Sequence, residues 1–141
     1  MKLDLESLEK AVKSLESAVD ISKDDHFMSK LSPEQADTIR AGVIQNFEFT
    51  YEICWKFIQR PLKEHKHSDE AEIPRTRKDL FRIAAKHGLI DHPEYWFDYG
   101  DARNLTAHTY NKDTAQTVYD AATRFVTDAK KLLDCLKKLN D

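Results

Sequence analysis

From Ile39 to Leu62 the apolar residues return every three or four positions, through Val43, Phe47, Tyr51, Cys54, Trp55 and Ile58. That spacing draws a stripe along one α-helix; a strand, whose period is two, cannot carry it. The stripe holds more large aromatics than a surface helix requires, so this is the central helix and other helices must cover it. Its start is written in SPEQ: Ser32 can cap, Pro33 suits the first helical position and Gln35 completes a capping box. Pro61 lacks a donor and crowds the preceding turn, so it should kink the helix or mark its last turns. Phe49 and Phe57 stand off the stripe and should pack sideways, either at the centre of a bundle or in an interface.

The covering helices are legible too. Leu5, Leu8, Val12, Leu15 and Val19 mark a first helix, whose spacing also suits an interface with a second helix of another chain. SKDDHFMSKL then reads as a polar connection, and EHKHSDEAEIPR, after the central helix, as a loop. Thr76 and Asp79 should cap a short helix over about residues 77 to 87, with Leu80, Ile83 and Ala84 on its apolar side and Gly88 as its left-handed stop. Pro93 opens another segment in which Trp96, Tyr99, Arg103 and Thr106 share a face. Asp113 and Gln116 are read as a capping box for a last long helix carrying Val118, Ala122, Phe125, Ala129, Leu132, Leu136 and Leu139. Three glycines and four prolines in 141 residues are too few turn formers for a strand-rich fold. The expectation is a single all-α domain over residues 1–141, an up-and-down bundle of four main helices plus a short extra helix.

Charge and cysteines narrow the function classes. A formal charge of −3 gives no general attraction to nucleic acid or anionic membrane, so contact with a polyanion must be local. The local candidate is the segment 60–86, with eight basic residues against five acids; Arg75, Arg77, Lys78 and Arg82 are its candidates for RNA or partner contact, though a solvated loop and helix face is the more common explanation of such a run. Cys54 and Cys135 fall on helical apolar stripes and read as free thiols of a reducing compartment. MKLDLESLEK has no signal-peptide run and no window is apolar enough to span a bilayer, which predicts a cytoplasmic protein without membrane contact. His65, His67 and Glu64 form no further ligand cluster, so neither a metal nor another cofactor is expected.

The chemistry-bearing stretch is RNLTAHTY, residues 103–110. On a continuous helix Arg103 and Tyr110 would lie nearly on one line, and Asn104 and His108 on an adjacent one. If the helix ends near Ala107, His108 and Tyr110 project from a loop instead, and spacing alone leaves both arrangements open. Arginine offers a planar fork to phosphate, and histidine exchanges protons near neutrality. Asparagine can hold an imidazole tautomer or a phosphate oxygen; tyrosine can hydrogen-bond phosphate or accept a transferred group on its hydroxyl. Together they suit RNA cleavage. A plainer alternative is that Arg103 and Asn104 satisfy the last carbonyls of a helix while His108 and Tyr110 fill a notch between helices.

Three stretches in order, NFEFTYEICWKFIQ at 46–59, AAKHGLI at 84–90 and ARNLTAHTYN at 102–111, resemble the nucleotidyltransferase substrate-binding protein family, a branch of the HEPN superfamily. The similarity runs over nearly the whole chain. It implies a helical protein that dimerises and pairs with a separate minimal nucleotidyltransferase, as a homodimer or within a heterotetramer. Many HEPN proteins are metal-independent endoribonucleases with Arg, four to six residues, then His; Arg103 and His108 match, with Asn104 as the polar residue after the arginine. The longer pattern R-x4-H-x-Y marks toxins of toxin–antitoxin pairs whose tyrosine receives AMP from the partner, and Tyr110 stands at that place. By this resemblance Arg103, Asn104 and His108 are catalytic residues facing their counterparts across a dimer cleft, and Tyr110 is the regulatory acceptor. The alternative is a non-catalytic subunit that presents a substrate to the nucleotidyltransferase.

Overall fold

A computed structural model describes residues 3–64 and 75–140. Among the described residues six α-helices follow in order: α1 (Glu6–Lys23), α2 (Asp25–Ser29), α3 (Pro33–Glu64), α4 (Arg77–Lys86), α5 (Pro93–Asn104) and α6 (Lys112–Leu139), with a 3₁₀ turn, Leu105–His108, between the last two. No strand occurs among the described residues.

Cross-helix hydrogen bonds give the directions. Thr50 reaches the Ala11 carbonyl while Asn46 accepts from Ser14, so α1 and α3 run antiparallel. Ser22 meets Tyr119 and Glu16 meets Lys130, which sets α1 antiparallel to α6 as well. The Asn140 side chain closes this pair, accepting from the Leu3 amide and donating to the Leu3 carbonyl, each at 2.9 Å. Helix α5 returns along α3 and α6, making the expected up-and-down bundle of α1, α3, α5 and α6, with α4 as the extra helix.

Local signals hold where expected. The Ser32 hydroxyl accepts from the Gln35 amide at 3.1 Å while Gln35 accepts from the Ser32 amide at 2.9 Å, a closed capping box. Thr76 caps α4 through the Asp79 amide, and Gly88 ends that helix region at φ +78°, where a β-carbon would be strained. Pro61 lies in the last turn of α3 without ending it.

Three expectations need correction. Helix α6 is capped by Asn111, whose side chain accepts from the amides of Asp113 and Thr114, while Gln116 donates to Asp120; the cap therefore sits ahead of the expected Asp113. SKDDHFMSKL is not all connection, because Asp24 accepts from the Phe27 amide and nucleates the short α2. Leu139, expected on the core stripe of α6, is exposed. The off-stripe phenylalanines divide between the two expected places: Phe57 is buried in the core with the Arg60 guanidinium 4.4 Å from its ring centroid, and Phe49 is exposed.

Burial concentrates on an aromatic centre. Phe125 of α6 touches Phe47 and Tyr51 of α3 and Trp96 and Tyr99 of α5, at ring-centroid distances of 5.0–6.2 Å. Phe81 extends the cluster to α4. These rings lock α5 against α3, and with it the position of everything α5 carries at its C-terminal end.

Candidate functional site

Helix α5 stops at Asn104 because the chain tightens into the 3₁₀ turn. The carbonyls released there are taken by neighbours: Thr106 Oγ1 donates to the Arg103 carbonyl at 2.7 Å and Thr109 Oγ1 to the Thr106 carbonyl at 3.4 Å. Arg103 and Asn104 are therefore not spent on the helix end. A 3₁₀ turn advances about 120° per residue instead of about 100°. The line that would join Arg103 to Tyr110 on a continuous helix is broken.

Arg103 points back across the bundle to α3. Its Nε donates to Glu52 Oε1 at 3.2 Å, and its Nη2 lies 3.7 Å from Glu48 Oε1. Glu52 also takes a fork-on-fork contact from Arg77 of α4, at 3.0 and 3.2 Å. One carboxylate thus holds two guanidinium groups side by side. Burial works to raise the Glu52 carboxyl, but the hydrogen bond and charge of Arg77, then those of Arg103, outweigh it and hold the group below the ordinary carboxylate range. The Arg77 guanidinium is correspondingly raised by its bond to Glu52. It is also stacked 4.6 Å from the Trp55 ring centroid.

Of the basic residues at 75–82, Arg77 reaches Glu52 and Trp55, Arg82 pairs with Asp79 and lies over Phe97, Lys78 stands 5.5 Å from the same ring, and Arg75 is exposed.

Arg77, Lys78, Arg103 and Asn104 line a cleft of about 430 Å³ between α3, α4 and α5, with Glu52, Asp101 and aromatic side chains as its other walls. At its base Tyr51 is 1% exposed, and its hydroxyl, which faces the Arg77 guanidinium, has no acceptor for its proton among the described residues. Burial pushes this phenol above its ordinary range; Arg77 pulls the other way, but as a donor it supplies no acceptor for the proton. Gly100 makes the room: a β-carbon there would stand 2.9 Å from the Tyr51 hydroxyl.

His108 and Tyr110 are elsewhere. His108 is exposed on the turn with its ring edge-on to Tyr110, centroids 6.2 Å apart. Tyr110 is 85% exposed, the most open of the large hydrophobic side chains described, and borders a second groove of about 490 Å³ between α3 and the start of α6. Within one chain, then, Arg103 and Asn104 share one cleft, and His108 and Tyr110 a neighbouring edge.

Three further residues of this region, Glu48, Glu52 and Tyr51, are not conspicuous in the sequence. Glu48 and Glu52 are four apart on α3, a spacing that marks an acidic strip able to receive cations; Tyr51 is legible only as core. Among the described residues no group of three or more His, Cys, Asp or Glu side chains could hold a metal ion. The histidines His65 and His67, and residues 65–74 of the stretch EHKHSDEAEIPR read as a loop, lie outside the described residues, while Glu64 ends α3. Cys54 is buried and free, Cys135 free and partly exposed. No helix among the described residues is long and apolar enough to cross a membrane.

Residues 3–138 match the family model described as nucleotidyltransferase substrate binding protein like. The chain is 34% identical over 139 residues to a Haemophilus influenzae protein named "Probable ribonuclease HepT", covering 99% of this chain and 95% of that protein. A solved Haemophilus influenzae structure, described as revealing the fold of a substrate binding domain of a nucleotidyltransferase, superposes with a TM-score of 0.88 at 34% identity, over 95% of this chain and 99% of that one. A second, from Thermus thermophilus, gives a TM-score of 0.71 at 28% identity, over 92% and 98%.

Proposed function

Because the chain belongs to the nucleotidyltransferase substrate-binding family, we propose that it is the helical partner of a small nucleotidyltransferase and is itself an endoribonuclease toxin that this partner silences. The observation that carries the reading is the pair His108 and Tyr110, a proton-transfer group and an 85%-exposed phenol held together on a turn where no packing requires either. A relative named as a ribonuclease supports it.

In the proposed reaction the ribose 2′-oxygen attacks the adjacent phosphorus as the bond from phosphorus to the 5′-oxygen breaks. The products are a 2′,3′-cyclic phosphate and a 5′-hydroxyl. His108 takes the 2′ proton or returns one to the leaving oxygen, while Arg103 and Asn104 hold the charge that builds on the phosphoryl oxygens. Since Arg103 and His108 open onto neighbouring edges of one chain, the reading calls for a homodimer in which one copy's turn faces the other's cleft. Tyr110, so exposed, is the acceptor for AMP from the nucleotidyltransferase: its oxygen attacks the α-phosphorus of ATP and pyrophosphate leaves. A bulky anion beside His108 would then block entry of RNA.

A second reading is favoured by the cleft itself: Arg103 is already tied to two carboxylates, as in a rigid binding wall, and the chain would then present a substrate to the nucleotidyltransferase without cleaving anything. Expression of the wild type beside His108→Ala at matched soluble levels separates them. Growth arrest by the wild type alone, with RNA ends bearing cyclic phosphate, upholds the nuclease; indifference to both proteins leaves the binding subunit. Incubation with the partner and ATP should add AMP units to the wild type and none to Tyr110→Phe. Sedimentation of a clean monomer at micromolar concentration would overturn the dimer.

A further inference from the structure

A buried hydroxyl whose proton meets no acceptor gives up its hydration without compensation, so such groups are uncommon and call for an explanation. Tyr51 carries one at the base of the cleft between α3, α4 and α5. What surrounds it is a set of donors. Arg77 lies 5.7 Å from its ring centroid, and Arg77 and Arg103 meet at the same Glu52 oxygen, at 3.0 and 3.2 Å. A guanidinium has five N–H groups, and Glu52 engages only some of them in each arginine. The cleft is lined by three cations, Arg77, Lys78 and Arg103, against two carboxylates, Glu52 and Asp101. The missing partner is an acceptor, and an anionic one.

We propose that this cleft is a phosphate-binding pocket, in which the Tyr51 hydroxyl and the remaining N–H groups of Arg77 and Arg103 donate to one phosphate group of a nucleotide. A phosphate offers a separate oxygen to each of the three donors and carries more charge than a carboxylate, which would have to share one oxygen between two of them, as Glu52 does. Gly100 belongs to the same device, because any side chain there would press on the hydroxyl. The inference rests on the nuclease reading only in taking the phosphate to be a nucleotide's, either free or in an RNA chain beside the scissile bond.

The test reads binding without turnover. Wild type, Tyr51→Phe and Gly100→Ala are titrated, in phosphate-free buffer, with inorganic phosphate, AMP and a short DNA oligonucleotide, which has no 2′-hydroxyl to attack; thermal melts without additive are run in parallel. The wild type is expected to bind at least one probe, AMP if the source is a free nucleotide and only the oligonucleotide if it is a chain phosphate. Tyr51→Phe should bind it about tenfold or more weakly, the worth of one hydrogen bond to a charged group. Its own melting temperature should be unchanged or higher, because no partner is lost. Gly100→Ala should weaken binding as well. The proposal is overturned if no probe binds the wild type at millimolar concentration, if both variants bind as the wild type does, or if Tyr51→Phe melts lower, which would mean that the hydroxyl already has its partner. None of these outcomes depends on RNA being cleaved, so a failure here is distinct from failure of the nuclease reading.

Discussion

Gly100 sits in the interior of α5, where alanine would ordinarily stabilise the helix by about 0.8–1 kcal/mol. The structure predicts the opposite. An added β-carbon would stand 2.9 Å from the Tyr51 hydroxyl oxygen, closer than such carbons are found, while the next ring atom, Cζ, is an ordinary contact at 3.8 Å. Tyr51 cannot swing aside cheaply, being 1% exposed and flanked by the rings of Phe47, Phe81 and Phe125. Overpacking of this kind costs about 1–3 kcal/mol, so Gly100→Ala should destabilise the wild type by up to about 2 kcal/mol. In Tyr51→Phe the offending atom is gone, and the same alanine should stabilise by about 1 kcal/mol. The assay is urea unfolding of the four proteins of the cycle, with an expected coupling of about 1–3 kcal/mol between the two positions. For a chain of this size each kcal/mol also moves the melting temperature by about 3 °C. Equal effects of the alanine in both backgrounds would refute the reasoning, since they would mean that the hydroxyl does not press on α5.

Glu52→Gln keeps the shape of the clamp and removes its charge, and should cost about 1–2 kcal/mol at neutral pH by urea melts. The Glu52 carboxyl is held below its ordinary 4.5, so its contribution is complete above that value and lost as pH falls through the lower folded value; wild type and variant should converge in acid. Asn111→Ala should lower stability by about 1 kcal/mol through the lost cap of α6, whereas Gln116→Ala should stay within about 0.5 kcal/mol, as thermal melts will show. With a maleimide, Cys135 should label in the native protein and Cys54 only on unfolding: burial raises both thiols, but Cys54 is fully enclosed.

Much of the fold could be read without coordinates because its signals are local. The α1 stripe from Leu5 to Val19 is buried at every position named, and Ser32, Thr76 and Gly88 act as their residue types require. The cap of α6 was misread where two local signals competed. Asn111 and Asp113 are both fair caps two positions apart, and only the 3₁₀ turn before them decides that the chain is still non-helical at Asn111. Phe57 lies off the α3 stripe, yet α3 is covered on more than one side, so its burial follows from the packing around it.

The site divides along the same line. Arg103, Asn104, His108 and Tyr110 are conspicuous in the sequence because their chemistry is carried by residue type and close spacing. Their arrangement is not. Arg103 is held by Glu52, fifty-one positions earlier, and the hydroxyl of Tyr51 is stranded between α4 and α5 by contacts that no local pattern records. Periodicity and capping depend on neighbours within one or two turns, so the order of residues was enough to specify the helices and the identity of the reactive groups. Which guanidinium meets which carboxylate, and which hydroxyl lacks a partner, follows from how whole helices pack across dozens of positions, and that became fixed only with the assembled bundle.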